Sequence, residues 1–204
     1  SCWYCYFSSR WLYSRGIKMT VYASKPEINV REKLKELDYG HVPYHKMPAG
    51  SVIQVQYYYQ LGSGAVNEAE TSSSSFQPTL FNVDISPKFS NSLIIIQAAP
   101  NIKSNGANAY HALGLYKSIN GGSYTRVLPP GGSAGASPHG LTNWRFNGET
   151  LWYANAPIFQ IDQPGTTEII NYKIFHRVSV NGAFVVRTGE NGADEYMMVM
   201  EIKQ

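Results

Sequence analysis

The chain has 204 residues, of which 43% are hydrophobic, 13% aromatic and only 15% charged. A charged fraction well below the usual ~25% excludes a disordered chain and a solvated helical bundle, and the length allows one good domain with an appendage. No apolar run approaches the ~18 residues of a membrane-spanning helix, and two cysteines allow at most one internal bridge.

The formal charge of +3 is unevenly placed. Residues 1–48 carry eight Lys/Arg and four Asp/Glu, a net of +4, and residues 49–204 a net of −1. The larger part has no basic bias, so nucleic acid is not its expected partner. The division predicts an N-terminal arm, 1–48, and a β domain, 49–204.

Residues 1–18 are crowded with aromatics and cysteine and lack the layout of a signal peptide. Met19 has the look of a natural start, and the stretch before it of an upstream extension or a processing product. One short helix is predicted over about 30–38. Asn29 can cap it, with Glu32 placed as the acid of a capping box. Val30, Leu34 and Leu37 then form its apolar stripe. Two turns are too short to stand alone, so this helix must dock on something. HVPYHKMPAG reads as a linker.

From Ser51 onward the signals are all β. SVIQVQYYYQ alternates, SLIIIQA has the length of a buried strand, and AYHALGLYKSI, SYTRVL, ETLWYA, PIFQID, TEIINYKIFHRVSV, AFVVRT and EYMMVMEIK follow. Asn-Gly recurs at 105–106, 120–121, 147–148, 181–182 and 191–192, the pair that suits the two positive-φ positions of a type I′ hairpin turn. VSV-NG-AFVV is predicted as a hairpin, with Val178 and Val180 on one side and Phe184 and Val186 on the other. Eight to ten short strands with frequent turns predict an all-β, jelly-roll-like antiparallel sandwich behind an arm with one small helix. The last strand is apolar on both alternating sets, Tyr196, Met198, Met200 and Ile202 against Met197 and Val199. Such a strand is central in a sandwich or sealed by another subunit.

Four segments carry a resemblance. MPAGSVIQVQ opens the β region, ISPKFSNSLIIIQ lies in its middle, NAPIFQID follows, and VMEIKQ ends the chain. In kind and order they resemble the small C-terminal knob domains of bacteriophage fibre proteins, common in phages of aquatic bacteria, over about Met47 to Gln204. The resemblance implies a non-enzymatic virion protein: a homotrimeric β-knob on an extracellular particle, assembled in the host cytoplasm, with a role in attachment or decoration. The family more usually has a long shaft before the knob, and here only the short arm precedes it. The arm is then the anchor to other virion proteins of the tail or capsid, through Trp3, Phe7, Trp11, Val30, Leu34 and Leu37. Tyr196, Met198 and Met200 are the expected oligomer interface. A decoration protein that binds no receptor is the alternative, and a glycan-processing enzyme the lower one.

Candidate chemistry is sparse. Gly131-Gly132-Ser133-Ala134-Gly135 matches G-x-S-x-G, but prolines precede it where a nucleophile elbow needs a strand. Cys2-x-x-Cys5 with His41-x3-His45 supplies the donors of a tetrahedral zinc site. The gap between Cys5 and His41 far exceeds the ~12–15 residues of a finger, and Pro43 forbids a regular helix between the histidines. Two thiols and two loop histidines are the plainer reading, and no metal or cofactor is expected. The ten acids of the β region read as surface residues, with Asp194 and Glu195 on opposite faces of a strand and Asp84 at a turn. His111 and His176 read as structural or outer-face strand residues. The long stretch from Pro129 to Gly148 reads as a loop. In it Trp144 can stack on a sugar ring, and Asn143, Arg145 and Asn147 can bond its hydroxyls or acidic groups. These are the candidates for binding a host cell-surface glycan or protein. The competing reading folds Trp144 and Phe146 back to plug the end of the sandwich or the subunit seam.

Overall fold

A computed structural model describes residues 42–60, 69–104, 109–128, 142–146, 152–179, 186–188 and 194–204. The chain divides into two units, Ser1–Val42 and Pro43–Gln204. The predicted helix, the six anchor candidates, Cys2, Cys5, His41, Asn147 and the Gly131–Gly135 motif all lie outside the described residues.

The second unit is built from thirteen described strands and one 3-10 turn, Tyr44–Lys46. The strands are β1 (Val52–Gln60), β2 (Ala69–Thr71), β3 (Gln77–Ile85), β4 (Leu93–Ala98), β5 (Asn101–Ser104), β6 (Ala109–Ile119), β7 (Thr125–Arg126), β8 (Thr142–Phe146), β9 (Trp152–Asn155), β10 (Ile158–Asp162), β11 (Ile170–Val178), β12 (Val186–Thr188) and β13 (Glu195–Ile202). The first sheet runs β1-β13-β4-β10, and the second β3-β11-β6, with β7 and β8 both on the far edge of β6. All these pairings are antiparallel. This is the jelly-roll sandwich that the turn spacing predicts.

A third sheet, β2-β12-β5-β9, has a plain origin in the chain path. Each of its strands lies on a crossover between the two large sheets. β2 lies between β1 and β3, β5 between β4 and β6, β9 between β8 and β10, and β12 between β11 and β13. Four crossovers leave one end of the sandwich, and their own backbone groups pair there.

The core lies between the two large sheets. β11 alternates buried and half-buried residues along its whole length, with Ile170, Tyr172, Ile174, His176 and Val178 inward. They meet Phe81, Val83 and Ile85 of β3, Leu113 and Leu115 of β6, and Ile94, Ile96, Ile158, Met197 and Val199 of the first sheet. β3 escaped the sequence reading because Pro78 and Asp84 interrupt an otherwise regular alternation of buried Thr79, Phe81, Val83 and Ile85. Asp84 is therefore an exposed strand residue and not part of a turn.

Two further expectations need correction. The described strands β11 and β12 do not pair with each other, while Val180, Asn181, Gly182 and Phe184 of the predicted hairpin lie outside the described residues. Both edges of β11 are already taken by β3 and β6, and Val186 pairs instead with Thr71 and Ser104. Residues 142–146 are not loop: they form β8, which continues along the edge of β6 that β7 begins. The turn that joins β6 to β7 does follow the Asn-Gly rule, with Asn120 at φ 50° and Gly121 at φ 71°.

The start and finish of the unit are tied together. Gly50 N–H donates to Lys203 O at 2.8 Å, and Lys203 N–H to Ser51 O at 3.0 Å. Gly50 has φ 85°, a conformation that glycine adopts at little cost. The Lys203 ammonium donates to His45 O and Met47 O and lies over Phe89, against whose edge Tyr44 packs. Residues 44–47, read as linker from sequence, are held on the β unit by these contacts.

Candidate functional site

The outer face of the first sheet is apolar from edge to edge. β13 turns Glu195, Met197, Val199 and Glu201 into the core and Tyr196, Met198, Met200 and Ile202 outward. Register extends that outward row onto β1, where Tyr59 lies opposite Tyr196, Tyr57 opposite Met198, and Val55 opposite Met200. On the other side Ile95 lies opposite Met200, Gln97 opposite Met198 and Leu93 opposite Ile202. β10 adds Phe159 beside Gln97 and Ile161 beside Ile95. Gln97 is the one polar residue among these positions, and none is charged. Tyr57 is 74% exposed and Phe159 60%. Four strands ~4.8 Å apart and side-chain rows ~6.8 Å apart give a face on the order of 400 Å². That is the size of the largest apolar patch on an ordinary single chain, and such patches are often functional.

The more hydrophobic set of β13 thus faces out, and its two glutamates face in. The inward glutamates are held by hydrogen bonds. Glu201 Oε1 accepts from Lys88 N–H at 2.7 Å, Phe89 N–H at 3.2 Å and the Ser92 hydroxyl at 2.7 Å, while Oε2 accepts from Gln54 at 2.7 Å. One carboxylate therefore clamps the whole turn between β3 and β4. Glu195 Oε1 accepts Asn101 N–H at 2.5 Å. Asp162, at the inner end of β10, accepts two bonds from the Lys117 ammonium and one at 2.7 Å from the Tyr172 hydroxyl. Burial, with the Asp162 charge and hydrogen bond behind it, pushes the Tyr172 phenol far above its ordinary value. The expectation that the acids are surface residues fails for Asp162, Glu195 and Glu201, all buried. A charge is tolerated inside when its hydrogen bonds are made there.

His111 and His176 lie on adjacent strands in the core, with ring centroids 5.7 Å apart. Both are fully shielded from solvent. Burial depresses the His176 imidazole to about 4, and burial with the charge of His176 holds His111 well below its ordinary value. They are structural histidines, one of the two readings open from sequence.

The outer face of the second sheet has a different character. Phe175 packs on Tyr116 at 4.3 Å and on Tyr124 at 5.3 Å, and Phe76 packs on Tyr116 at 5.6 Å, all three pairs tilted. Gly114 lies beneath, and a Cβ there would sit 3.1 Å from both Phe76 and Tyr116. Sequence reading missed this group, although the alternation of β11 signals it by putting Phe175 outward between Lys173 and Arg177.

Of the residues singled out from sequence, Tyr196, Met198 and Met200 fall together on the apolar face. Asn143, Trp144 and Arg145 sit on β8, opposite Ala112, His111 and Tyr110 of β6. His45 is exposed on the 3-10 turn. Among the described residues no group of three or more His, Cys, Asp or Glu is placed to hold a metal ion, and no helix is long and apolar enough to cross a membrane.

No family model matches the chain, and no curated protein matches it. Among solved structures, one of infectious bursal disease virus Gx strain aligns with 74% of this chain at 12% identity and a TM-score of 0.31. The chain spans 37% of the length of that protein.

Proposed function

We propose that this chain is a virion structural protein of the bacteriophage fibre-knob type, which assembles as a homotrimer through the outer face of its first sheet and serves host attachment. The observation that carries the reading is the uncharged apolar face itself, with Tyr57 and Phe159 largely exposed on it. Closed cyclic assembly of identical copies removes such a face from water. The four segments that resemble the phage knobs add support. They include all of β10, most of β4 and parts of β1 and β13, and so touch each of the four strands of this one sheet. The Pro-Ala-Gly-Ser element makes the turn that starts β1 against the end of β13, and Asn155-Ala156-Pro157 leads directly into β10.

Light scattering on the full chain tests the assembly. A mass three times the 22.7 kDa of one chain is the expected result, and a stable monomer overturns it. Adsorption of the same sample to intact host cells tests the role. A trimer that adsorbs supports attachment, whereas a trimer that does not adsorb supports decoration of the particle.

A further inference from the structure

The geometry points to a binding site for an acidic saccharide on the outer face of the second sheet, built on the rings of Tyr116, Tyr124 and Phe175 with the cations of Lys173 and Arg177 at its margin. It supplies a ligand class for the attachment reading, and rests on that reading only for the source of the ligand, the host surface.

Outward positions on a solvent-facing sheet are ordinarily polar. Here the centre of the sheet carries a group of packed, tilted rings that the core does not use. Phe175 and Tyr116 stand on adjacent strands and lie against one another with an interplanar angle of 37°. They are half-buried by their neighbours, and Tyr124 at the edge is 39% exposed. Gly114 lets this layer lie close to the backbone, because any side chain there would displace Phe76 and Tyr116. The arrangement is a shallow aromatic surface, the kind on which the apolar face of a pyranose ring stacks.

The margin is cationic. The Lys173 ammonium lies 5.8 Å from the centre of the Tyr124 ring, and the Arg177 guanidinium 5.3 Å from that of Phe76. Both side chains are partly buried, and Arg177 spends one Nη1 donor on Ser74 O at 3.0 Å. Two cations beside the ring can donate to the hydroxyls of any sugar, but a uronate carboxylate adds charge attraction to each bond. Beyond Tyr124 lies a row made for hydroxyls. The Tyr124 hydroxyl donates to Asn171 Oδ1 at 2.7 Å, and Asn171 Nδ2 donates to Asp84 Oδ1 at 2.6 Å. The exposed Asp84 carboxylate accepts from sugar hydroxyls and repels any anion, so the acidic group of the ligand belongs at the Lys173 and Arg177 margin.

The test is calorimetric titration of the full chain with tetragalacturonate, with neutral cellotetraose, and with an eight-nucleotide oligothymidylate. Saturable binding of tetragalacturonate is expected, weakened by added salt and weaker still for cellotetraose. Tyr124→Ala and Lys173→Gln should each weaken it roughly three- to tenfold. Both positions lie on the outer face and outside the core, so each variant should unfold cooperatively with only a small midpoint shift, which separates lost contacts from lost fold. Absence of saturable tetragalacturonate binding overturns the inference. So does equal binding of the neutral sugar, tighter binding of the oligothymidylate, or affinity that neither variant changes. A trimer that adsorbs to cells yet binds no acidic saccharide removes this site alone. A monomer that binds tetragalacturonate but does not adsorb removes the attachment reading and leaves the site.

Discussion

The two large sheets share one core and treat their other faces in opposite ways. The first sheet turns its carboxylates inward, at Asp162, Glu195 and Glu201, and presents tyrosine, methionine, valine and isoleucine outward. The second turns tyrosine, isoleucine and histidine inward and presents lysine, arginine and asparagine among its outer aromatics. Alternation alone leaves the faces of β13 open, because both of its sets are largely apolar. Burial follows from what each side chain meets: Glu201 finds four donors inside, which offset the cost of taking its charge out of water.

That contrast can be broken at several points. The largest effect is expected at the inward charge of the first sheet. Asp162→Ala leaves the Lys117 ammonium and the Tyr172 hydroxyl in the interior without their acceptor. A loss of about 3–5 kcal/mol is expected in urea unfolding, as for other broken buried pairs. A loss below about 1 kcal/mol would mean that water already reaches Lys117.

The inward histidines of the second sheet set a pH dependence. Their imidazoles are held neutral in the fold, His176 down to about 4, against an ordinary value of 6.5. The unfolded chain therefore binds more protons between these values. Stability is full above about pH 6.5 and is lost as the pH falls toward 4, by on the order of 3 kcal/mol for His176. The urea midpoint measured across that window should fall on acidification, and His176→Gln should flatten the slope. An unchanged slope in the variant would assign the acid sensitivity to other groups.

The outer faces give a paired comparison. Met198→Glu puts a charge in the middle of the apolar face of the first sheet and should weaken assembly at least about 100-fold. Lys173→Glu on the second sheet should leave the assembly mass unchanged. Sedimentation of the two variants side by side reads the difference, and equal behaviour would dissolve the distinction between the faces. The smallest effect is expected at Gly114→Ala. Its Cβ meets Phe76 and Tyr116 at 3.1 Å, so the aromatic layer must shift at a cost of about 1–2 kcal/mol. A neutral result would show the layer to be loose.

Much of the fold was legible because strands announce themselves by alternation and turns by backbone chemistry. β4, β6, β10, β11 and β13 all lie where the apolar pattern puts them, and Asn120-Gly121 turns the chain as its positive φ values require. β3 and β8 were hidden for local reasons. Pro78 interrupts the first, and the second follows a Gly- and Pro-rich stretch that has the composition of a loop. The Val178–Val186 hairpin was a reasonable local reading that lost to tertiary competition, since β11 spends both of its edges on longer partners.

The sequence by itself determined the class of fold, the positions of most strands and the apolar character of β13, because these rest on interactions between residues close along the chain. Tertiary structure alone decided which face of β13 is inside, which acids are buried and which aromatics gather on the second sheet. Those outcomes depend on neighbours such as Lys88 and Ser92 for Glu201, or Lys117 for Asp162, that are distant in sequence and reach the same place only when the two sheets close on each other.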